Sequence, residues 1–304
     1  MSTIFTAAKI IAENYSPEKY HSENAPRGTK EYAIGRSSLM EFNRCPHRWV
    51  KGFEMDGTDA TEFGSALDCL LLTPDRFALD YAVCPATYPD KKTGEEKRWT
   101  FAATFCKEWR EEHSGAQIIT ADIFNDITGA VASAKEDKII GPLLKCSASQ
   151  VYITGIYHDE STDLDITVKT LIDTVPSKES VWKKSLWDLK SARNAAAGPW
   201  PRVIFERGYH VQAALSLDLY DAALPDEDRM EFCHAIIENV KPWEPGKRLL
   251  SEDFVTLGRA TYRAALARYA QCLATGVWPG YDHESREFFQ GCSISSPESW
   301  MANP

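Results

Sequence analysis

The 304-residue chain has eight cysteines but no C-x-x-C pair among them. Cys45, Cys69, Cys84, Cys106, Cys146, Cys233, Cys272 and Cys292 are scattered, which excludes a zinc ribbon and the cysteine run of an iron–sulphur site. They read as reduced, partly buried, small apolar residues. No stretch approaches 18 consecutive apolar residues, and the opening MSTIFTAAKIIAENYSPEK lacks a basic start, an apolar run and a small-residue cleavage site. Neither a membrane span nor a secretory leader is indicated, so a cytoplasmic protein is expected. There is no GxxxxGK[ST] loop to cradle a triphosphate, because Gly246-Lys247 is followed by Arg248. Positive charge is short: 34 Lys and Arg face 44 Asp and Glu, a net charge of −10. That balance excludes coating nucleic acid by bulk electrostatics and leaves a local basic surface as the means of contact. Internal repeats and low-complexity blocks are missing too.

What is present fits one large domain with a sizeable core. Residues 1–34 open with a short apolar stretch and run on through SPEKYHSENAPRGTKEY, which reads as an arm or linker. The folded domain is expected over 35–285, with 286–304 as a tail. Ser38-Leu-Met-Glu41 reads as a capping box opening a helix that Pro46 interrupts. A helix follows at about 61–72, and TPDRF reads as the start of another. Residues 81–100, with Pro85, Pro89 and KKTGEEKR, read as an exposed loop, and helical patterning returns over 100–136. From about 150 the β-branched and aromatic segments VYITGIY, LDITVKTLIDTV and SVWKKSLWDLKSA predict an antiparallel meander. One helix is expected over 201–223, strands at MEFCHAIIENV and near RLLSEDFVTL, and a last helix over 257–275 ending at Gly276. The order predicts a mixed α/β fold, a central mixed sheet flanked by helices with helical N-terminal wrapping.

The chemistry concentrates in SLWDLKSA. Period-two geometry puts Leu186, Asp188 and Lys190 on one strand face and Trp187 and Leu189 on the other. The preceding strand carries Asp173, and a hairpin turning near 177–184 would set Asp173 opposite Asp188. Two carboxylates ~4 Å apart repel by roughly 4 kcal/mol at an effective dielectric of ~20, so such a pair stays ionised only beside a cation. Hard carboxylate oxygens select Mg²⁺, and a water acidified by the ion, with Lys190 to orient or deprotonate it, is a nucleophile for a phosphodiester. A lone D-x-K is expected about once by chance in a chain of this composition, and an exposed strand salt bridge is the alternative.

The order of the surrounding segments resembles the PD-(D/E)xK nuclease superfamily, and within it the phage and prophage recombination exonucleases of the RecE (exonuclease VIII) type, relatives of lambda exonuclease and the RecB nuclease domain. The resemblance runs from about Gly35 to Tyr281. It is carried by SLMEFNRCPHRW, by FGSALDCLLLTPDRF, by KTLIDTVP with its Asp, by WDLKSA for the D-x-K, by YHVQAALSLDLY for the helix bearing a Gln, and by the closing WPGY.

The resemblance implies a restriction-endonuclease-like core and a Mg²⁺-dependent deoxyribonuclease, with Mn²⁺ able to substitute and no iron–sulphur cluster. It implies that Asp173 and Asp188 bind metal with the Leu189 carbonyl, that Lys190 is the catalytic lysine, and that Gln212 orients substrate or water. Asp68, in Gly64-x-x-x-Asp68, stands where this family has His and its relatives Glu; an exposed carboxylate is the alternative reading. Ser216 replaces the Tyr four residues after the Gln, although Tyr209 and Tyr220 lie near that helical face. Arg36, Ser38, Arg44, Arg48, Arg193 and Tyr209, with Lys51 and Lys169, are candidates to face DNA. The implied activity is 5′-to-3′ degradation of duplex DNA from its ends in phage recombination, beside an annealing protein and as a ring-shaped homo-oligomer. A single-strand or junction nuclease, or a catalytically silent binding module of the same fold, are the rival readings.

Overall fold

The computed structural model describes residues 4–53, 59–227 and 229–281 and two short strands beyond them. The chain opens with β1 (Phe5–Ala12), α1 (Pro17–Ser22), β2 (Ile34–Gly35), α2 (Arg36–Arg44) and α3 (Pro46–Val50). Next come α4 (Asp59–Leu72), a 3-10 turn at Pro74–Arg76 and α5 (Phe77–Asp80). An insertion holds β3 (Tyr81–Val83), β4 (Thr87–Pro89), β5 (Glu96–Arg98), α6 (Thr104–Glu112) and β6 (Gln117–Ile119). Helices α7 (Ala121–Glu136) and α8 (Ile140–Lys145) precede the long strands β7 (Ser147–Asp159) and β8 (Leu164–Pro176), and then β9 (Ser185–Ala192). The chain continues through α9 (Trp200–Glu206), α10 (Tyr209–Ala223), β10 (Glu231–Glu238), β11 (Pro245–Leu249) and α11 (Glu252–Thr275), and β12 (Phe288–Phe289) pairs with β13 (Cys292–Ser293).

The main sheet has the order β1-β7-β8-β9-β10-β11, with β2 also pairing β8. Most of its pairs are antiparallel, but the short β2–β8 pair is parallel, and so are β9 and β10, which are joined by a crossover through α9 and α10. Parallel neighbours in a sheet covered on both faces carry continuous apolar runs. That is why SLWDL in β9 and FCHAII in β10 are buried without a break. On one face Ile153, Val168, Leu186 and Ile236 pack with Val211, Ala214 and Leu215 of α10 and Tyr262 and Leu266 of α11. On the other, Trp187, Leu189, Ala235 and Ile237 pack with Phe63 and Leu67 of α4 and Ile127 and Ala130 of α7. The mixed sheet between two helical layers is a restriction-endonuclease-like α/β fold. Among the described residues no helix is long and apolar enough to cross a membrane.

Several expectations meet the structure differently. Residues 5–12, read as part of an arm, form an edge strand against β7, and Phe5 and Tyr20 are buried. The sheet edge needed a partner, and the short apolar stretch supplies it. The proposed capping box is displaced: α2 begins at Arg36, so Ser38 lies inside the helix, where its hydroxyl accepts from the Trp49 indole at 2.7 Å and pairs with the Tyr32 hydroxyl at 2.8 Å. The segment 81–100 is not a plain loop but carries the β4–β5 hairpin. The helix expected over 201–223 is two helices, broken at Gly208, whose φ of +66° is open to glycine at no steric cost. The last helix starts at Glu252 rather than 257, because Ser251 caps it by accepting from the Phe254 N–H at 3.4 Å. Its end at Gly276, with φ +69°, is where glycine was expected to stop it. Apart from the β12–β13 pair, the tail assigned to 286–304 lies outside the described residues.

Candidate active site

The sheet forks at β8. One edge of this strand pairs with β2 at Val168 and Lys169 and, further along, with β9 at Thr174, opposite Trp187. Between these contacts β9 draws away, and one more antiparallel step sets Asp173 against Asp188. Where the ladder stops, the Asp173 carboxylate stands in for it: its Oδ2 accepts from the Leu189 backbone N–H at 2.8 Å. A strand residue points its N–H and C=O to the same side. The Leu189 carbonyl therefore faces the fork as well, where it accepts from Lys190 Nζ at 3.2 Å.

A cavity of about 650 Å³ opens at this fork, and Asp68, Asp173, Asp188, Lys190 and Gln212 all line it. Asp68 arrives on α4. Gly64, one helical turn earlier, lets α4 approach β9, since a Cβ there would stand 2.9 Å from Ser191 Oγ. Lys190 is ion-paired to Asp188 Oδ2 in direct contact. Gln212, from α10, donates to Asp188 Oδ1 at 2.5 Å. Arg36, at the start of α2, donates to Gln212 Oε1 at 2.8 Å. A guanidinium can only donate, so the amide is oriented with its N–H on the carboxylate. The Tyr209 ring closes this side, 4.9 Å from Lys190 Nζ and 5.7 Å from the Arg36 guanidinium.

The electrostatics divide the acids. Burial, with the Asp188 and Asp68 carboxylates, holds Asp173 well above the usual carboxylate range. Burial also lifts Asp68 to about 7, against the pull of Lys190 and with the help of Asp188. At Asp188 burial opposes ionisation, but the Lys190 ammonium outweighs it and leaves the carboxyl lowered. Burial works against the Lys190 charge in turn, and Asp188 with Asp173 keeps it raised. The outcome is one ionised pair, Asp188 with Lys190, beside two acids that retain protons at neutral pH more readily than usual.

The donor set suits a hard divalent cation: carboxylate oxygens from Asp173, Asp188 and Asp68 and the Leu189 carbonyl share one pocket. Lys190 already bridges two of these oxygens, Asp188 Oδ2 and the Leu189 carbonyl, so a positive charge is accommodated there. Among the described residues no three acidic, imidazole or thiol side chains close into a ready-made metal cage.

Of the other candidates, Arg36, Ser38 and Lys169 line the cavity, whereas Arg44, Arg48, Lys51 and Arg193 do not. Ser38 is committed to Tyr32 and Trp49, and Arg48 stacks on Phe53 with its guanidinium 3.7 Å from the ring centre. Lys169 is buried, donates to the Tyr20 carbonyl, and is lowered to about 8 by burial. Ser216 bonds the Thr170 hydroxyl at 2.8 Å, bridging α10 to the fork. Two residues escaped the sequence reading. His234 pairs in register with Asp188 on β10, its Nε2 4.0 Å from Asp188 Oδ2, and burial lowers it to about 4. Gln150, on β7, donates to Asp173 Oδ1 at 3.3 Å. His234 was hidden in an apolar run; its signal was the lone polar residue in an otherwise continuous parallel strand.

A family model described as a PDDEXK-like domain of unknown function (DUF3799) matches residues 35–289. No curated protein matches the chain. Among solved structures, a Eubacterium rectale protein described as a "putative exonuclease" is 14% identical, with a TM-score of 0.55 over 96% of this chain and 98% of that one. At that identity the likeness speaks for the fold. Rai1 of Scheffersomyces stipitis, solved with (3′-NADP)+ and calcium, is 11% identical with a TM-score of 0.27, covering 70% of this chain and 58% of that one. Rai1 of Candida albicans, solved with pU5-Mn²⁺, is 11% identical at the same TM-score over 90% and 82%. At those scores the two Rai1 chains carry no argument.

Proposed function

The chain belongs to the PDDEXK-like family (DUF3799), and from that premise and the geometry of the fork we propose that it is a Mg²⁺-dependent deoxyribonuclease. The observation that carries the reading is the meeting of Asp173, Asp188 and Lys190, from two diverging strands, in one acidic cavity that also holds Asp68 and Gln212. Asp173, Asp188, the Leu189 carbonyl and Asp68 would hold the ion, with Mn²⁺ as a substitute. When bound, the ion offsets charge on a phosphodiester and acidifies water for attack on phosphorus. Lys190 holds its proton at Nζ beside that position and orients the attacking water. Gln212, itself held by Arg36, engages Asp188 Oδ1 and leaves Oδ2 to Lys190. Arg36 and Lys169 supply local positive charge inside an otherwise acidic protein, as phosphate binding requires.

The finer reading is a 5′-to-3′ exonuclease of duplex DNA in phage recombination, acting beside an annealing protein and assembled as a homo-oligomer. It rests on the resemblance to RecE-type exonucleases. Purified protein with Mg²⁺ is expected to digest linear duplex and spare covalently closed circles, with the digestion absent in Asp188→Ala. Cleavage of circles would replace the exonuclease reading with an endonuclease one, preference for unpaired or branched DNA would point to the single-strand or junction reading, and inert protein that binds no metal would leave a silent binding module.

A further inference from the structure

Gln150 is built unlike its neighbours in β7. It stands opposite Asp173, between the paired residues Ser149 with Thr174 and Val151 with Ile172. Its backbone is left-handed, with φ +49°, a conformation that costs a long side chain free energy and persists where the surroundings hold it. The segment after β1 supplies that hold: the Asn14 and Tyr15 N–H groups donate to the Ser149 and Gln150 carbonyls at 2.8 and 3.1 Å. The side chain is 3% exposed and lines the fork cavity. Its amide N–H reaches Asp173, yet its Oε1 is buried with no hydrogen-bond partner among the described residues. A buried amide oxygen left unpaired costs about 1–3 kcal/mol, so its retention beside three carboxylates points to a partner that the polypeptide does not provide.

We propose that Gln150 is a positioning residue of the candidate metal centre, its amide N–H fixing Asp173 Oδ1 while its Oε1 accepts a hydrogen bond from a water of the hydrated divalent cation. This rests on the metal-dependent reading above and adds to it a neutral oxygen from a strand outside the D-x-K hairpin. Mg²⁺ and Mn²⁺ sites with few protein ligands keep several waters, and those waters donate to outer-shell acceptors. Directly opposite positions of an antiparallel pair share a sheet face, so the amide stands on the side of Asp173, at the step where the left-handed residue interrupts the backbone pairing.

The test is calorimetric titration of Mn²⁺ into the full chain without nucleic acid, comparing wild type with Gln150→Asn, Gln150→Gly and Asp188→Ala. Asn tolerates left-handed backbone but is one methylene too short to span Asp173 and the ion; Gly keeps the kink without an amide. Both are expected to weaken Mn²⁺ binding about tenfold while thermal stability holds or rises. A purely structural role would move stability and leave the ion affinity alone. Affinity within twofold of wild type in both variants, alongside loss in Asp188→Ala, overturns the role of Gln150 and leaves the metal site standing. A wild-type chain that takes up no Mn²⁺ overturns both.

Discussion

Two sets of charges in this protein are placed under opposite conditions. In the insertion Lys91 pairs with Glu108, and Arg98 reaches Asp122 of α7, at 3.0 and 2.5 Å, in side chains exposed by half or more. At the fork, Asp188 and Lys190 pair with side-chain exposures of 2% and 15%. Water screens the first pairs and makes them nearly neutral for stability, while the second pair has given up its hydration and depends on its partner. The fork also gathers two further acids whose burial favours their protonated forms. Three carboxylates gathered around one lysine cost stability in the metal-free chain, and that is the cost the proposed cation site would offset.

That contrast can be broken most severely at Asp188. Asp188→Ala is expected to abolish Mg²⁺-dependent cleavage, by on the order of 10³-fold or more in kcat, and to destabilise the chain by about 3–5 kcal/mol by leaving Lys190 buried without its counter-charge. Steady-state cleavage with chemical denaturation measures both. Asp173→Asn separates the two quantities: cleavage is expected to fall comparably, yet melting temperature in the absence of metal is expected to rise, because a neutral amide avoids the cost of burying an acid that the unfolded chain holds ionised, while an oxygen remains to accept from the Leu189 N–H. A fall in both would show that the carboxyl supports the fork itself.

A third test uses pH. The folded carboxyls of Asp173 and Asp68 are raised above their unfolded values, so from about pH 4 upward, and for Asp68 until about pH 7, the unfolded chain gives up these protons first. Their contribution to stability is therefore lost as pH rises through that window when metal is absent. An ion that binds the deprotonated acids reverses the trend, and its affinity is expected to increase up to about pH 7, where Asp68 titrates. Melting curves with and without Mg²⁺ across this range check the sign. The smallest effect belongs to the surface: Arg98→Ala is expected to shift the melting temperature by no more than about 2 °C and leave cleavage unchanged. A large loss of activity there would bring the insertion into the substrate path.

Much of the fork could be read from the chain as text. The alternation in SLWDLKSA separates Asp188 from Trp187 and Leu189, and the structure sends Trp187 and Leu189 to the α4 and α7 layer. The register inferred for Asp173 agrees with the Thr174–Trp187 pair. Gln150 was not readable, because its contact with Asp173 depends on the β7–β8 register, which no short stretch of either strand fixes. The break at Gly208 and the cap at Ser251 left signals, Arg-Gly inside a helical pattern and Ser-Glu-Asp before an apolar run, that lost to the periodicity around them. Arg36 stood among several arginines, and nothing local to it distinguished a guanidinium held by Gln212 from Arg44 on the surface.

Local backbone geometry determined what the sequence could determine alone: a strand repeats every two residues and a helix every 3.6, so face, capping and termination are written within a few neighbouring letters. The fork itself, the parallel placement of His234 beside Asp188 and the approach of α4 that brings Asp68 were decided by tertiary structure. Those meetings join segments tens of residues apart, and they are chosen by which faces must be buried together and in what strand order, a global balance that no short window of sequence contains.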